Sequence, residues 1–263
     1  MKILQLFLLA ILLLSFTGCK SIRRMTNHGG STFTAQIETN EANKDEIYKE
    51  VLKVLERRAD AVGIDAEFLP DANQPGHFTA TVHHKNEDIE RLKKFLFSTY
   101  RLELKKAISP GFPEPVRTFS TREEAEKLTP EIHIVLPYKA RGDEPPKFVI
   151  VEKNSIITGK DIRSAQAYSA SGNDSDYQIN FTLREDGGKK LGEWSQKNIA
   201  NYLAVVLNDE IQSIPYIQSP IYDSGQITGR FSKTEAEDIA LSLNSGYLPA
   251  TIKLLSEKPF GEK

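Results

Sequence analysis

The stretch LAVVLNDEIQSIPYIQSPI, residues 203–221, carries its apolar residues in two short bursts, broken by Asn208-Asp209 and closed by two prolines. Val205, Val206 and Leu207 favour pleated packing and Asn-Asp bends a chain locally, so the stretch predicts a strand, a tight turn and an extended edge. Nothing in it is an activated side chain. Before it, LGEWSQKNIANYL predicts a helix with Leu191, Trp194, Asn198 and Ile199 on its packed side, and Asp186-Gly187-Gly188 reads as the turn leading into that helix. After it, QITGRF predicts a strand. Ser232 with Glu235 then makes a capping box for a helix whose inward stripe is Ala236, Ile239, Ala240 and Leu243, before Gly246. Farther upstream, FVIVEK reads as a strand, ITGKDI as a turn, and AQAYSA with YQINFTLRE as a hairpin around SGNDSD. Residues 147–247 therefore read as one α+β domain.

The first half shows a second pattern. STFTAQIE alternates as a strand does, and NKDEIYKEVLKVLERRADAVG places Ile47, Val51, Val54, Leu55, Ala59 and Val62 on one helical face, ended by Gly63. IDAEFL and HFTATVH are strands separated by PDANQPG. Asn86, followed by Glu87 and Asp88, caps a helix with Ile89, Leu92, Phe95 and Leu96 inward, and YRLELKKAI is another strand. Strand, helix, strand, strand, helix, strand is the order of a ferredoxin-like split βαβ unit, which assigns residues 31–107 to a base domain. Three prolines in SPGFPEP open a proline-rich connector over 108–146, in which Ser120 and Glu123 fit a capping box and PYKARGDEPPKF reads as a polar excursion. ATIKLLSE places a strand in 248–258 that returns to the first domain, leaving 259–263 as a tail.

The N-terminus speaks to location. MKILQLFLLAILLLSFTGC has a charge at Lys2, then an apolar run from Ile3 to Phe16 interrupted only by Gln5 and Ser15. That is the layout of an export signal, too short to be a stable span. The small pair Thr17-Gly18 precedes Cys19, the single cysteine, and the arrangement resembles a bacterial lipoprotein signal. Residues 1–18 are thus expected to be removed, 19–30 to tether the chain, and Cys19 to carry acyl chains that hold it to a lipid bilayer. Lys20 after the cysteine resembles outer-membrane sorting, facing the periplasm. In a one-membrane host the same anchor leaves the protein on the extracellular face of the plasma membrane.

Charge and motif exclude much else. Lys and Arg number 34 against 36 Asp and Glu, a net charge of −2, with no basic surplus for nucleic acid. The five histidines include His77 and His83 on one strand face, but six strand residues separate them by about 20 Å, too far to share a metal. No serine sits in a Gly-x-Ser-x-Gly elbow, and Asp186-Gly187-Gly188 lacks a phosphate loop's Gly-Lys-Ser/Thr ending. No catalytic residue, metal ligand or cofactor is expected.

The chain resembles the first periplasmic domain of SecD, a subunit of the bacterial protein translocase. The resemblance runs through LERRADAVGI with Arg58, Asp60, Gly63 and Ile64, and through AVVLNDEIQSIP with Leu207, Ile211, Ser213 and Pro215. GQITGRF, EAEDIALSLNSG and LPATIKLL continue it in order. Where the family has Asp-Gly in the turn this chain has Asn208-Asp209, and of the family's Asp-Leu-Arg-Gly-Gly only Gly29-Gly30 stand, after Thr26, Asn27 and His28. No second apolar run matches the family's membrane bundle, so the resemblance implies a polypeptide-handling or docking domain rather than a motor. It implies a base and a head, with exported polypeptide or another envelope protein as partner. Tyr216, Ile217 and Tyr222, set around two prolines, are the candidate polypeptide-binding residues. The alternatives are a structural adaptor that handles no client and an envelope hydrolase.

Overall fold

The computed structural model describes residues 29–84, 89–140, 144–169, 172 and 176–261. Cys19 with the whole signal segment, Thr26, Asn27 and His28, and the helix-starting Asn86, Glu87 and Asp88 lie outside the described residues. Two compact units divide the chain, one reaching Ser98 and resuming at Pro249, the other spanning Thr99–Leu248. No helix among the described residues is long and apolar enough to cross a membrane.

The first unit contains β1 (Gly29–Glu38), α1 (Lys44–Ala61), β2 (Asp65–Pro70), β3 (His77–His83), α2 (Ile89–Phe97) and the chain's last strand, β13 (Thr251–Gly261). Its sheet is antiparallel with the order β13-β1-β3-β2, the ferredoxin-like arrangement. Period-two alternation sends Phe33, Ala35 and Ile37 of β1 and Phe78, Ala80 and Val82 of β3 into the core. Phe33 meets Phe97 of α2 edge-on, ring centroids 5.4 Å apart.

The fourth strand corrects the expected boundary at residue 107. Leu102–Lys106, read from sequence as closing this sheet, pairs in the second unit, and β13 takes the place beside β1. The register explains the choice, because β13 accompanies β1 from Gly29↔Gly261 to Glu38↔Thr251. A five-residue strand would leave half of that edge unpaired. Lys93 of α2 ties β13 down through Glu257 (2.8 Å) and is also held by Glu90, and the two carboxylates keep its ammonium above the usual lysine range.

Two residues of α1 depart from the helical-stripe reading. Val62 is exposed, whereas Arg58 is fully buried. The Arg58 guanidinium donates to the carbonyls of Phe95 (3.2 Å), Leu96 (2.8 Å) and Ser98 (2.5 Å), which are the orphan acceptors at the end of α2.

The second unit contains β4 (Leu102–Lys106), α3 (Arg122–Glu126), β5 (His133–Tyr138), β6 (Lys147–Glu152), β7 (Ile157–Thr158), β8 (Ile162–Ser169) and β9 (Tyr177–Leu183). It continues with α4 (Glu185–Lys197), β10 (Leu203–Leu207), β11 (Glu210–Ser213), β12 (Ser224–Phe231) and α5 (Lys233–Asn244). One sheet has the order β6-β5-β11-β10-β4-β7 and the other β12-β9-β8. Leu104, Ile179, Phe181, Leu191, Val205 and Ile227 belong to one core cluster, while Ala204, Val206 and Ile211 join Val149 and Val151 in another.

The 203–221 stretch forms the hairpin β10–β11. Asn208 and Asp209 take φ of 52° and 62°, the left-handed pair a two-residue hairpin turn requires. Their strain is offset locally. Asn208 Oδ1 accepts from the Arg101 backbone N–H (2.8 Å) and the Thr99 hydroxyl (3.1 Å), and Asp209 pairs with Arg101.

Other boundaries shift for physical reasons. Gly187 and Gly188 lie inside α4 rather than in a turn before it, and they are glycine there because a Cβ would collide with Asp161 at the first and with the Tyr222 carbonyl at the second. The helix stops before Asn198, leaving Ile199 exposed. Thr121, not Ser120, caps α3, accepting from the Glu124 N–H (3.2 Å). Inside the stretch read as connector, β5 pairs antiparallel with β6. The Ser232–Glu235 capping box at α5 forms with both of its halves.

Candidate functional site

Strand β11 is paired with β10 as far as Ser213, but on its other side β5 joins it in register only at Ile211↔Tyr138, with one further bond from the Lys139 N–H to the Ile211 carbonyl (2.9 Å). Pro215 has no N–H with which to prolong a ladder. Opposite lies β12, the edge strand of the three-stranded sheet, hydrogen-bonded to β9. Between them runs a groove of about 460 Å³. Ser213, Ile214 and Pro215 form one wall and Ser224, Gly225, Gln226 and Thr228 the other, while Leu104, Phe181, Leu191, Leu203 and Val205 supply an apolar floor. Gly225 is required there, since a Cβ would strike the Phe181 ring.

Thr228 also lines a polar cavity of about 320 Å³, with Lys139, Gln178, Gln212, Gly229 and Arg230. Gln212 is 4% exposed. Its Nε2 donates to the Glu210 carbonyl (3.2 Å) and carboxylate (3.1 Å), which fixes the amide's orientation and leaves Oε1 buried without a hydrogen-bond partner among the described residues. The Lys139 ammonium lies over the Phe231 ring, 4.4 Å from its centroid. Apolar floor, hydroxyl and amide rim, and two unaccompanied strand edges suit an extended, largely uncharged chain.

The expected binding residues fare unequally. Ile217 is 2% exposed and belongs to the main core, so it is a structural anchor and not a contact: its N–H and carbonyl hold Asn201 and Ala200. The run after Pro215 turns inward because the backbone there pairs with residues 200–203. Tyr216 is partly exposed but stacks on Phe112, centroids 4.7 Å apart, with Tyr202 edge-on at 6.4 Å. Tyr222 is exposed at one side, and its ring fills the space a side chain at Gly192 would need. None of the three lines the groove. Sequence reading missed Gln212 and the β12 wall; the usable signal was the pair Gly225 and Gly229 within a strand pattern.

His77 and His83 share the half-buried face of β3, where His83 meets Phe260 edge-on (5.3 Å), while His84 Nε2 lies 3.2 Å from the Ser31 hydroxyl. Among the described residues no three or more His, Cys, Asp or Glu stand close enough together to hold a metal ion.

A ferredoxin-like base interrupted by a two-sheet head with a groove is the class this geometry defines. The SecDF P1 head subdomain family matches residues 134–250. The protein translocase subunit SecD of Aquifex aeolicus is 34% identical over 220 residues, covering 83% of this chain and 40% of that protein. SecD of Koribacter versatilis is 28% identical over 234 residues, covering 89% of this chain and 42% of its own length. A crystal structure of SecDF in a super-membrane-facing form shares the fold with a TM-score of 0.65 at 22% identity, over 99% of this chain and 35% of that one. The structure of SecDF described as a membrane component that enhances protein export gives 0.62 at 21%, over 86% of this chain and 98% of that one. The chain carries a SecD-type periplasmic domain, base and head, and spans about two fifths of the length of these two SecD relatives.

Proposed function

We propose that this chain is a lipid-anchored protein of the bacterial cell envelope whose head holds extended stretches of translocated polypeptide, acting by binding and release rather than by catalysis. The observation that carries this reading is the apolar groove between β11 and β12, rimmed by hydroxyls and amides. The relatives are named as translocase subunits and one solved SecDF is described as enhancing export, which supports polypeptide as the ligand class. The anchor rests on Gly18-Cys19 after the apolar run, and Lys20 favours the outer membrane's periplasmic face. Mass spectrometry of membrane-purified protein is expected to find acylated Cys19 at the N-terminus; an unmodified Met1 contradicts the anchor.

Binding is tested by titrating residues 19–263 with an unfolded segment of an exported protein and with its folded parent. The unfolded form is expected to bind and to shift groove resonances. Ser224→Arg, at an exposed position on the groove wall, is expected to weaken it at least tenfold, about 1.4 kcal/mol. Equal binding of folded and unfolded forms favours the adaptor reading.

A further inference from the structure

Among the described residues the edge strands are guarded, with one exception. β13 carries Lys253, Glu257, Lys258 and Pro259, β2 carries Asp65 and Glu67, β6 carries Lys147 and Glu152, β8 carries Arg163, and β7 is two residues long. Charge, proline, brevity and bulges are devices that keep a sheet edge from acquiring another strand. β12 carries neither charge nor proline from Ser224 to Gly229, and its bulge lies only beyond Ile227, so Ser224–Ile227 is unguarded. Its unguarded length borders the groove, and across the groove the outer side of β11 loses β5 beyond Ile211. The polar end adds the buried Gln212 Oε1, an acceptor with no donor among the described residues, and a buried acceptor is costly to leave unsatisfied. That oxygen packs against β12 itself at Gly229, where a Cβ would stand 3.1 Å from it. Gly229 and Arg230, the latter at φ 51°, sit where β12 slips its register with β9 in a bulge.

We propose that the head reads its client through the main chain: an extended segment adds as a strand to the outer edge of β12, and Gln212 Oε1 accepts one client backbone N–H at the polar end. The proposal rests on the polypeptide-binding reading of the groove and specifies its mode. Strand addition has a parity that apolar packing lacks, because alternate N–H groups of the client face β12. Main-chain recognition also tolerates many side-chain sequences.

The test uses residues 19–263, one synthetic peptide from an unfolded exported segment, and a series of that peptide N-methylated at successive positions. Methylation at alternate positions is expected to weaken binding at least tenfold, and at intervening positions less than twofold, while β12 amides gain exchange protection in the complex. Gln212→Leu is expected to weaken the parent peptide severalfold yet not weaken further the one peptide methylated at the N–H facing residue 212. A variant that merely perturbs the fold would affect both peptides alike. If every methylated peptide binds as the parent does while groove resonances still shift, strand addition is wrong and the groove reading stands. If the parent peptide does not bind, both fall.

Discussion

In the base, β1 is flanked on both sides, by β3 and by the long β13, and the strands left at the rim carry charge or proline. In the head, β11 and β12 run beside an open groove, and β12 presents Gly225, Gln226, Thr228 and Gly229 where the base presents Lys253, Glu257 and Lys258. Both units use antiparallel strands and helices with apolar stripes, so fold class does not separate them. They differ in what they do with the backbone at their edges. A sheet that must only persist guards its rim, and on the proposed function the head keeps a stretch of rim unguarded, over an apolar floor, to receive a chain.

The sharpest way to break the comparison is to uncover the base. A chain ending at Ala250 lacks β13 and exposes the β1 edge, so amides of β1 and β3 are expected to lose exchange protection while fluorescence of Trp194, the single tryptophan, reports a folded head. Retained protection in β1 would mean that the base closes without its last strand. Next in size, Arg58→Ala strands three carbonyls at the end of α2 and empties a fully buried site, so the base is expected to lose about 3 kcal/mol or more in urea unfolding followed at base amides. Peptide binding by the head is expected to hold within twofold. The smallest effect belongs to Tyr216→Ala: loss of the stack on Phe112 is expected to cost the head about 1 kcal/mol and to change peptide affinity less than twofold. A tenfold loss of affinity would return Tyr216 to the binding surface.

Arg58 and Gln212 also mark where sequence reading stopped. The helical stripes of α1 and α5 and the β10–β11 hairpin were legible because period and turn chemistry are local signals, whereas the return of the last strand to the first domain followed the resemblance. Leu102–Lys106 was legible as a strand but not as a member of the head sheet, because alternation fixes faces and not partners. A buried arginine satisfied by carbonyls 37 to 40 residues away looks, in sequence, like any helical basic residue. The groove was located only to its neighbourhood. Two prolines and two tyrosines drew attention to residues 216–222, of which Ile221 alone is among the groove's lining; the rest of the wall is made by Ser213–Pro215 and β12, where small and polar residues carry no strong pattern of their own.

The central claim is that the head groove, and not the base, receives polypeptide. A photo-crosslinking amino acid placed at Thr228 on the groove wall, and in a second protein at Thr81 on the half-buried face of β3, compares the two units directly against one purified exported protein held unfolded. The account predicts strong crosslinks from position 228 that fall away when the client is allowed to fold, and background crosslinking from position 81. Equal crosslinking from both positions, or crosslinks confined to position 81, would contradict it.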